Sequence, residues 1–141
     1  MEQRISVLTL SVADLARSRA FYEDGLGWRA AFADDEVAFY QLNGLVLALF
    51  SRQAFEEDAD LPIGTARAGG IALAYNVRGR GEVDSVLAQA AGAGARMLRP
   101  ARDTTWGGYS GYLADPDGHP WEVAWNPHWR LDDAGNLALP A

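Results

Sequence analysis

From Ile5 the chain runs ISVLTLSV, apolar and polar positions alternating as in a half-buried strand, with Val7 and Thr9 on one face and Leu8, Leu10 and Val12 on the other. Asp14 can then cap a helix in which Leu15, Ser18, Phe21 and Tyr22 recur at helical spacing. Gly25 and Gly27 stop it, which predicts a helix over about 13–24. Glu36–Leu42 and Leu45–Phe50 read as two strands joined by Asn43-Gly44, a dipeptide that readily takes the positive φ of a tight hairpin.

Residues 51–68 turn polar, with Glu56, Glu57, Asp58 and Asp60 ahead of Pro62 and Gly64, and read as a linker. The order of elements then repeats. A strand is expected at Ile71–Val77, a helix over about 81–93 with Val83, Val86, Leu87 and Ala90 on one stripe, a strand at Arg96–Leu98 and a final hairpin. The last turn, Asp115-Pro116-Asp117-Gly118, combines Pro to preset φ, Asp to bond the turn backbone and Gly for positive φ. Aligning the halves on Gly44 and Gly118 sets Ala48 opposite Glu122, and aligning them on Val12 and Val77 sets Val7 opposite Ala72. Identity between the halves is low; the shared order of elements carries the repeat. Neither half buries enough apolar surface to be stable alone, so the two are expected to pack together.

Composition narrows the chemistry. The 141 residues are 49% apolar and 22% charged, ordinary for one globular domain, and no apolar run approaches the roughly 18 residues a membrane span needs. The opening MEQRISVLTL lacks the apolar stretch of a secretory signal, so a soluble, cytoplasmic protein is expected, with no membrane partner. A net charge of −7 with no basic cluster argues against nucleic acid as a partner. Cysteine is absent, removing disulfides, thiolate nucleophiles and Cys-based zinc sites. All 12 basic residues are Arg, which rules out Schiff-base chemistry on lysine. No nucleophile-elbow serine accompanies either histidine, and GGIALAYNV precedes its strand instead of following it, so no phosphate-binding loop is indicated.

Two segments, VLTLSVADLARSRAFYEDGLGW at 7–28 and GYLADPDGHPWEVAWNP at 111–127, together resemble the glyoxalase/bleomycin-resistance/extradiol-dioxygenase group, the vicinal oxygen chelate superfamily. The resemblance covers roughly residues 5–127. It implies an α+β fold of two βαβββ modules forming a curved mixed sheet with a cleft: module one at about 4–52, a linker at about 53–69 and module two at about 70–127. A tail at 128–141 remains unexplained. The resemblance also implies a homodimer. Metal enzymes of the group take ligands from the first and last strands of each module, and those slots here are Val7, Ala48, Ala72 and Glu122. Three of the four cannot bind a metal, and a divalent first-row ion needs three or more protein ligands. The expectation is therefore no bound metal and no cofactor.

Glu122 sits between Trp121 and Val123, where an unpaired carboxylate is costly. It is either a proton acceptor or hydrogen-bonding group in the cleft, or a family relic paired with an arginine. His119, three residues away, falls on the opposite strand face and belongs to the turn, and His128 belongs to the surface. Trp106, Tyr109, Tyr112, Trp121 and Trp125 crowd into 20 residues, and Phe39 and Tyr40 occupy the comparable hairpin of the first half. Parity puts Trp121 and Trp125 opposite Glu122 and Ala124, so about half of these aromatics are expected in the core. Trp106-Gly107-Gly108-Tyr109 predicts a mobile loop whose tryptophan forms a lid or wall over the ligand site. The expected ligand contacts are Trp106, Tyr109, Trp121, Glu122, Trp125 and Phe39. They suit a protein that binds a small, partly aromatic or amphipathic molecule. Two alternatives stand beside it: a metal-dependent lyase, isomerase or dioxygenase with Glu122 as ligand or base, and a dimeric structural or regulatory module with a vestigial cleft.

Overall fold

A computed structural model describes residues 7–59 and 72–138. The expected strand start at Ile5, residues 60–69 of the expected linker, and the expected strand start at Ile71 lie outside the described residues. The chain divides into two units, Met1–Arg67 and Ala68–Ala141.

In the first unit, strand β1 (Val7–Val12) leads into helix α1 (Leu15–Ala20), which continues through one wider, π-type turn at Phe21–Gly25. The side chain of Asp14 caps α1 by accepting from the Arg17 amide at 3.0 Å. Strands β2 (Phe32–Ala33), β3 (Val37–Gln41) and β4 (Val46–Ser51) complete a four-stranded sheet in the order β1-β4-β3-β2, with β1 parallel to β4 and the other pairs antiparallel. Gly44 supplies the positive φ, 81°, between β3 and β4. One face meets α1: Leu10, Val12, Ala38, Tyr40, Leu47 and Leu49 are buried with Leu15, Ser18, Phe21 and Tyr22. Below them Arg19 pairs with Glu23 at 2.8 Å, and the Tyr40 hydroxyl donates to Glu23 at 3.0 Å. The stretch expected as linker begins instead with helix α2 (Arg52–Ala59). It starts directly after β4, and Phe55 meets Phe50 edge-on at 6.0 Å.

In the second unit, strand β5 (Leu73–Asn76) is followed by helix α3 (Arg80–Gly92), then by β6 (Arg96–Asp103), β7 (Tyr109–Ala114) and β8 (Pro120–Trp125). Their order is β5-β8-β7-β6, with β5 parallel to β8 and the rest antiparallel, so each unit has the βαβββ plan. Val77, Val83, Leu87, Ala90, Leu113 and Val123 form its core, the helix lying across β6, β7 and β8. β6 runs five residues beyond the expected Leu98, because Pro100 lies on an edge strand where its missing N–H is tolerated. The tail contains a small hairpin, β9 (Arg130–Leu131) with β10 (Leu137–Ala138), and the Arg78 guanidinium donates to the Asp132 carbonyl. No described helix is long and apolar enough to cross a membrane.

Candidate functional site

The turn ahead of β8 is built around Asp115, which is 3% exposed. One of its oxygens accepts from the amides of Asp117 (3.0 Å) and His119 (2.9 Å), and the other lies 2.9 Å from His119 Nδ1. Gly118 takes the positive φ, 91°. His119 is therefore a turn residue. The turn sets the parity of β8: Trp121, Val123 and Trp125 alternate with Glu122 and Ala124.

The helix-facing side is fixed by Gly111, where an added Cβ would lie 2.5 Å from Leu87 Cδ1 of α3. Gly111 pairs with Val123, Leu113 with Trp121, and Tyr109 with Trp125, so all of these share the α3 side. Glu122 belongs to the opposite, non-helical side. There it stands in a row across the sheet, Ala74 on β5, Glu122 on β8, Tyr112 on β7 and Arg99 on β6.

Within this row the Arg99 guanidinium lies 5.1 Å from the Tyr112 ring centroid and donates to Ser110 Oγ at 2.8 Å. Burial, then the negative charge of Glu122 and a hydrogen bond to it, hold the Tyr112 phenol above its ordinary pKa, with Arg99 opposing. The phenol therefore stays protonated at neutral pH. The face presents a carboxylate acceptor, a neutral phenol and a fixed guanidinium side by side. The corresponding row of the first unit is Thr9, Ala48, Phe39 and Phe32, with the two phenylalanine rings 6.0 Å apart. Glu122, Tyr112 and Arg99 thus stand where the first unit has Ala48, Phe39 and Phe32, while on the first strand the order reverses, Thr9 against Ala74.

Within the second sheet the expected ligand contacts fall on two faces. Glu122 lies on the non-helical face of the second sheet, and Phe39 on the equivalent face of the first. Tyr109, Trp121 and Trp125 lie on the α3 side. The Tyr109 hydroxyl donates to Asp84 at 3.0 Å, and its ring lies 4.2 Å beneath Arg80, which pairs with Asp103. Trp106 sits in the β6–β7 hairpin, 43% exposed, its ring laid against Gly108: an added Cβ there would be 1.7 Å from the indole. The loop is a tied turn, since Thr104 N donates to Gly108 O at 3.0 Å and Gly108 N to Thr104 Oγ1 at 3.0 Å. His128 is exposed, its Nε2 beside Gly107. Arg99 is the functional candidate that the sequence pattern did not single out.

The residues in the metal slots do not fit an ion. Val7 pairs with Val46, Ala48 is buried between Thr9 and Phe39, Ala72 precedes β5, and only Glu122 offers a ligand atom. Among the described residues no group of three His, Cys, Asp or Glu could hold a metal.

The family model described as the glyoxalase/bleomycin resistance protein/dioxygenase superfamily matches residues 4–123. A solved structure of a glyoxalase-related enzyme from Fulvimarina pelagi is 42% identical, with a TM-score of 0.94 over 99% of this chain and 100% of that one. A metallothiol transferase FosB from Staphylococcus saprophyticus is 30% identical over 127 residues, 87% of this chain and 77% of that protein. Its namesake from Lysinibacillus sphaericus is 30% identical over 124 residues, 85% of this chain and 80% of that protein.

Proposed function

Because the chain belongs to the glyoxalase/bleomycin resistance protein/dioxygenase superfamily, we propose that it binds a small, amphipathic or partly aromatic molecule on the Glu122 face of its second sheet, without a metal. The observation that carries this reading is the row Glu122–Tyr112–Arg99, where the neighbours of the glutamate are a phenol and, beyond it, a guanidinium. A guanidinium near the carboxylate makes a poor cation site and a good place for a ligand that both donates and accepts hydrogen bonds. Glu122 accepts from the ligand or takes a proton from it, the neutral Tyr112 hydroxyl orients it, and Arg99 holds its negative end.

The test is a thermal-shift screen of small metabolites run with and without a chelator, comparing the chain with Glu122→Gln. A compound that stabilises the folded chain raises its apparent stability by mass action. Stabilisation that survives chelation and is weakened in Glu122→Gln supports the reading; a panel whose hits all vanish on chelation contradicts it.

A second reading is supported by the likeness to proteins named metallothiol transferase. In it Glu122 is a metal ligand and the chain is a metal-dependent enzyme of the family. It requires donors that the aliphatic slots Val7, Ala48 and Ala72 do not supply.

A further inference from the structure

β6 carries Arg96, Arg99 and Arg102, spaced three apart, a period that on a regular strand would send alternate side chains to opposite faces. The register shows otherwise. Arg96 pairs with Ala114, Arg99 with Tyr112 and Arg102 with Ser110, and these three β7 positions lie two apart on the non-helical face. Two irregularities, between Met97 and Arg99 and between Arg99 and Arg102, each insert one extra residue into β6 and bring every arginine back to that face. Gly111 makes room for the second: a Cβ there would lie 3.0 Å from the Ala101 amide nitrogen. The neighbouring acid is turned away, since Asp103 pairs with Arg80 and is in register with Tyr109, on the helix side. Among the described residues no carboxylate forms an ion pair with any of the three arginines.

Successive rungs of this ladder are two β7 residues apart, roughly 7 Å. Arg99 is held in place by Ser110 and by the Tyr112 ring, while Arg96 and Arg102 reach solvent. In a chain of net charge −7, three guanidinium groups on one strand face with no carboxylate ion pair among the described residues form a local site for negative charge. We propose that the ligand of this face is a dianion, a small molecule with two oxyanion groups that sit on Arg99 and on Arg102 or Arg96, its uncharged part lying toward Tyr112 and Glu122. This rests on the small-molecule reading above and gives its chemical class.

The experiment is calorimetric titration of the full chain with inorganic pyrophosphate, with adipate and, as the single-charge control, with acetate, all at matched ionic strength. The two dianions separate a phosphate from a carboxylate preference. Saturable binding of at least one dianion, with acetate much weaker, is expected. Arg99→Gln, and at least one of Arg102→Gln and Arg96→Gln, should each raise the dissociation constant roughly tenfold or more, the loss of one charge-assisted contact, while Arg29→Gln, an exposed arginine of the first unit, should leave it unchanged. Binding that is absent, or that is equal in the Arg99→Gln/Arg102→Gln double variant, or that falls equally in Arg29→Gln, overturns the proposal. Neutral aromatic alcohols run on the chain and on Glu122→Gln separate the two failures. If they bind in a Glu122-dependent way while the dianions do not, the small-molecule reading stands and the dianion class is wrong; if neither binds, both are wrong.

Discussion

Gly111→Ala is a substitution whose sign is decided by the packing of β7. The glycine has no positive φ that an alanine would be forced to adopt, so on backbone grounds alone the change should stabilise by about 0.4–1 kcal/mol through the unfolded chain. Against that, the new methyl would lie 2.5 Å from Leu87 Cδ1, 3.0 Å from Ala101 N and 3.2 Å from Ala101 Cα. The leucine methyl can move, but the bulged β6 backbone must shift. Overpacking of this kind costs about 1–3 kcal/mol, which exceeds or matches that gain and leaves a net loss of up to about 2.6 kcal/mol. Urea unfolding of the full chain should show the midpoint fall with an unchanged slope. A double-mutant cycle with Leu87→Ala should show the two changes to be non-additive, because the shorter side chain removes the Leu87 contact and leaves those with Ala101. A stabilised Gly111→Ala, or strict additivity with Leu87→Ala, would refute the close approach of α3 and β6 to this residue.

Asp115→Ala removes the acceptor of two backbone amides in a buried turn and should cost about 2–3 kcal/mol in denaturant unfolding; a loss below about 0.5 kcal/mol would mean the turn does not depend on it. Gly108→Ala should displace the Trp106 indole and shift tryptophan emission, an effect absent when Trp106 is already phenylalanine. The Arg19 guanidinium holds Glu23 below its ordinary value of 4.5, against burial and with help from Tyr40. Its stabilisation is therefore present above that value and lost as pH falls through the folded one, so Glu23→Gln should flatten the acid limb of stability. Burial, followed by Glu23, raises Tyr40 well above its ordinary 10.0. That contribution is complete below pH 10 and declines as pH rises further, so Tyr40→Phe should remove part of the alkaline loss.

Much of the fold was legible because its signals are local. The alternation of residues 7–12, the Asp14 cap, Asn43-Gly44 and the 115–118 turn each act over a few residues, and the two glycines take the expected positive φ. The parity of Glu122 against Trp121 and Trp125 followed from the turn. Helix α2 was not legible: Glu56, Glu57 and Asp58 dominate its composition, and its burial rests on Ala54 and on the Phe50–Phe55 contact, too few positions to show a period. The length of β6 was hidden by Pro100 and by two bulges, which leave neither a period of two nor one of 3.6. For the same reason Arg99 was invisible as a partner of Tyr112. The only sequence signal for it is the three-residue spacing of arginines, which acquires meaning once the register with β7 is known.

Equilibrium dialysis of the full chain against zinc, manganese and nickel in turn, followed by elemental analysis, tests most directly whether the Glu122 face works without a metal. The predicted result is substoichiometric metal in every case, with the same content in Glu122→Gln, because one carboxylate beside aliphatic positions cannot complete a coordination shell. One tightly held ion per chain that is lost in Glu122→Gln would contradict it and return the chain to the metal-dependent chemistry named for its FosB relatives.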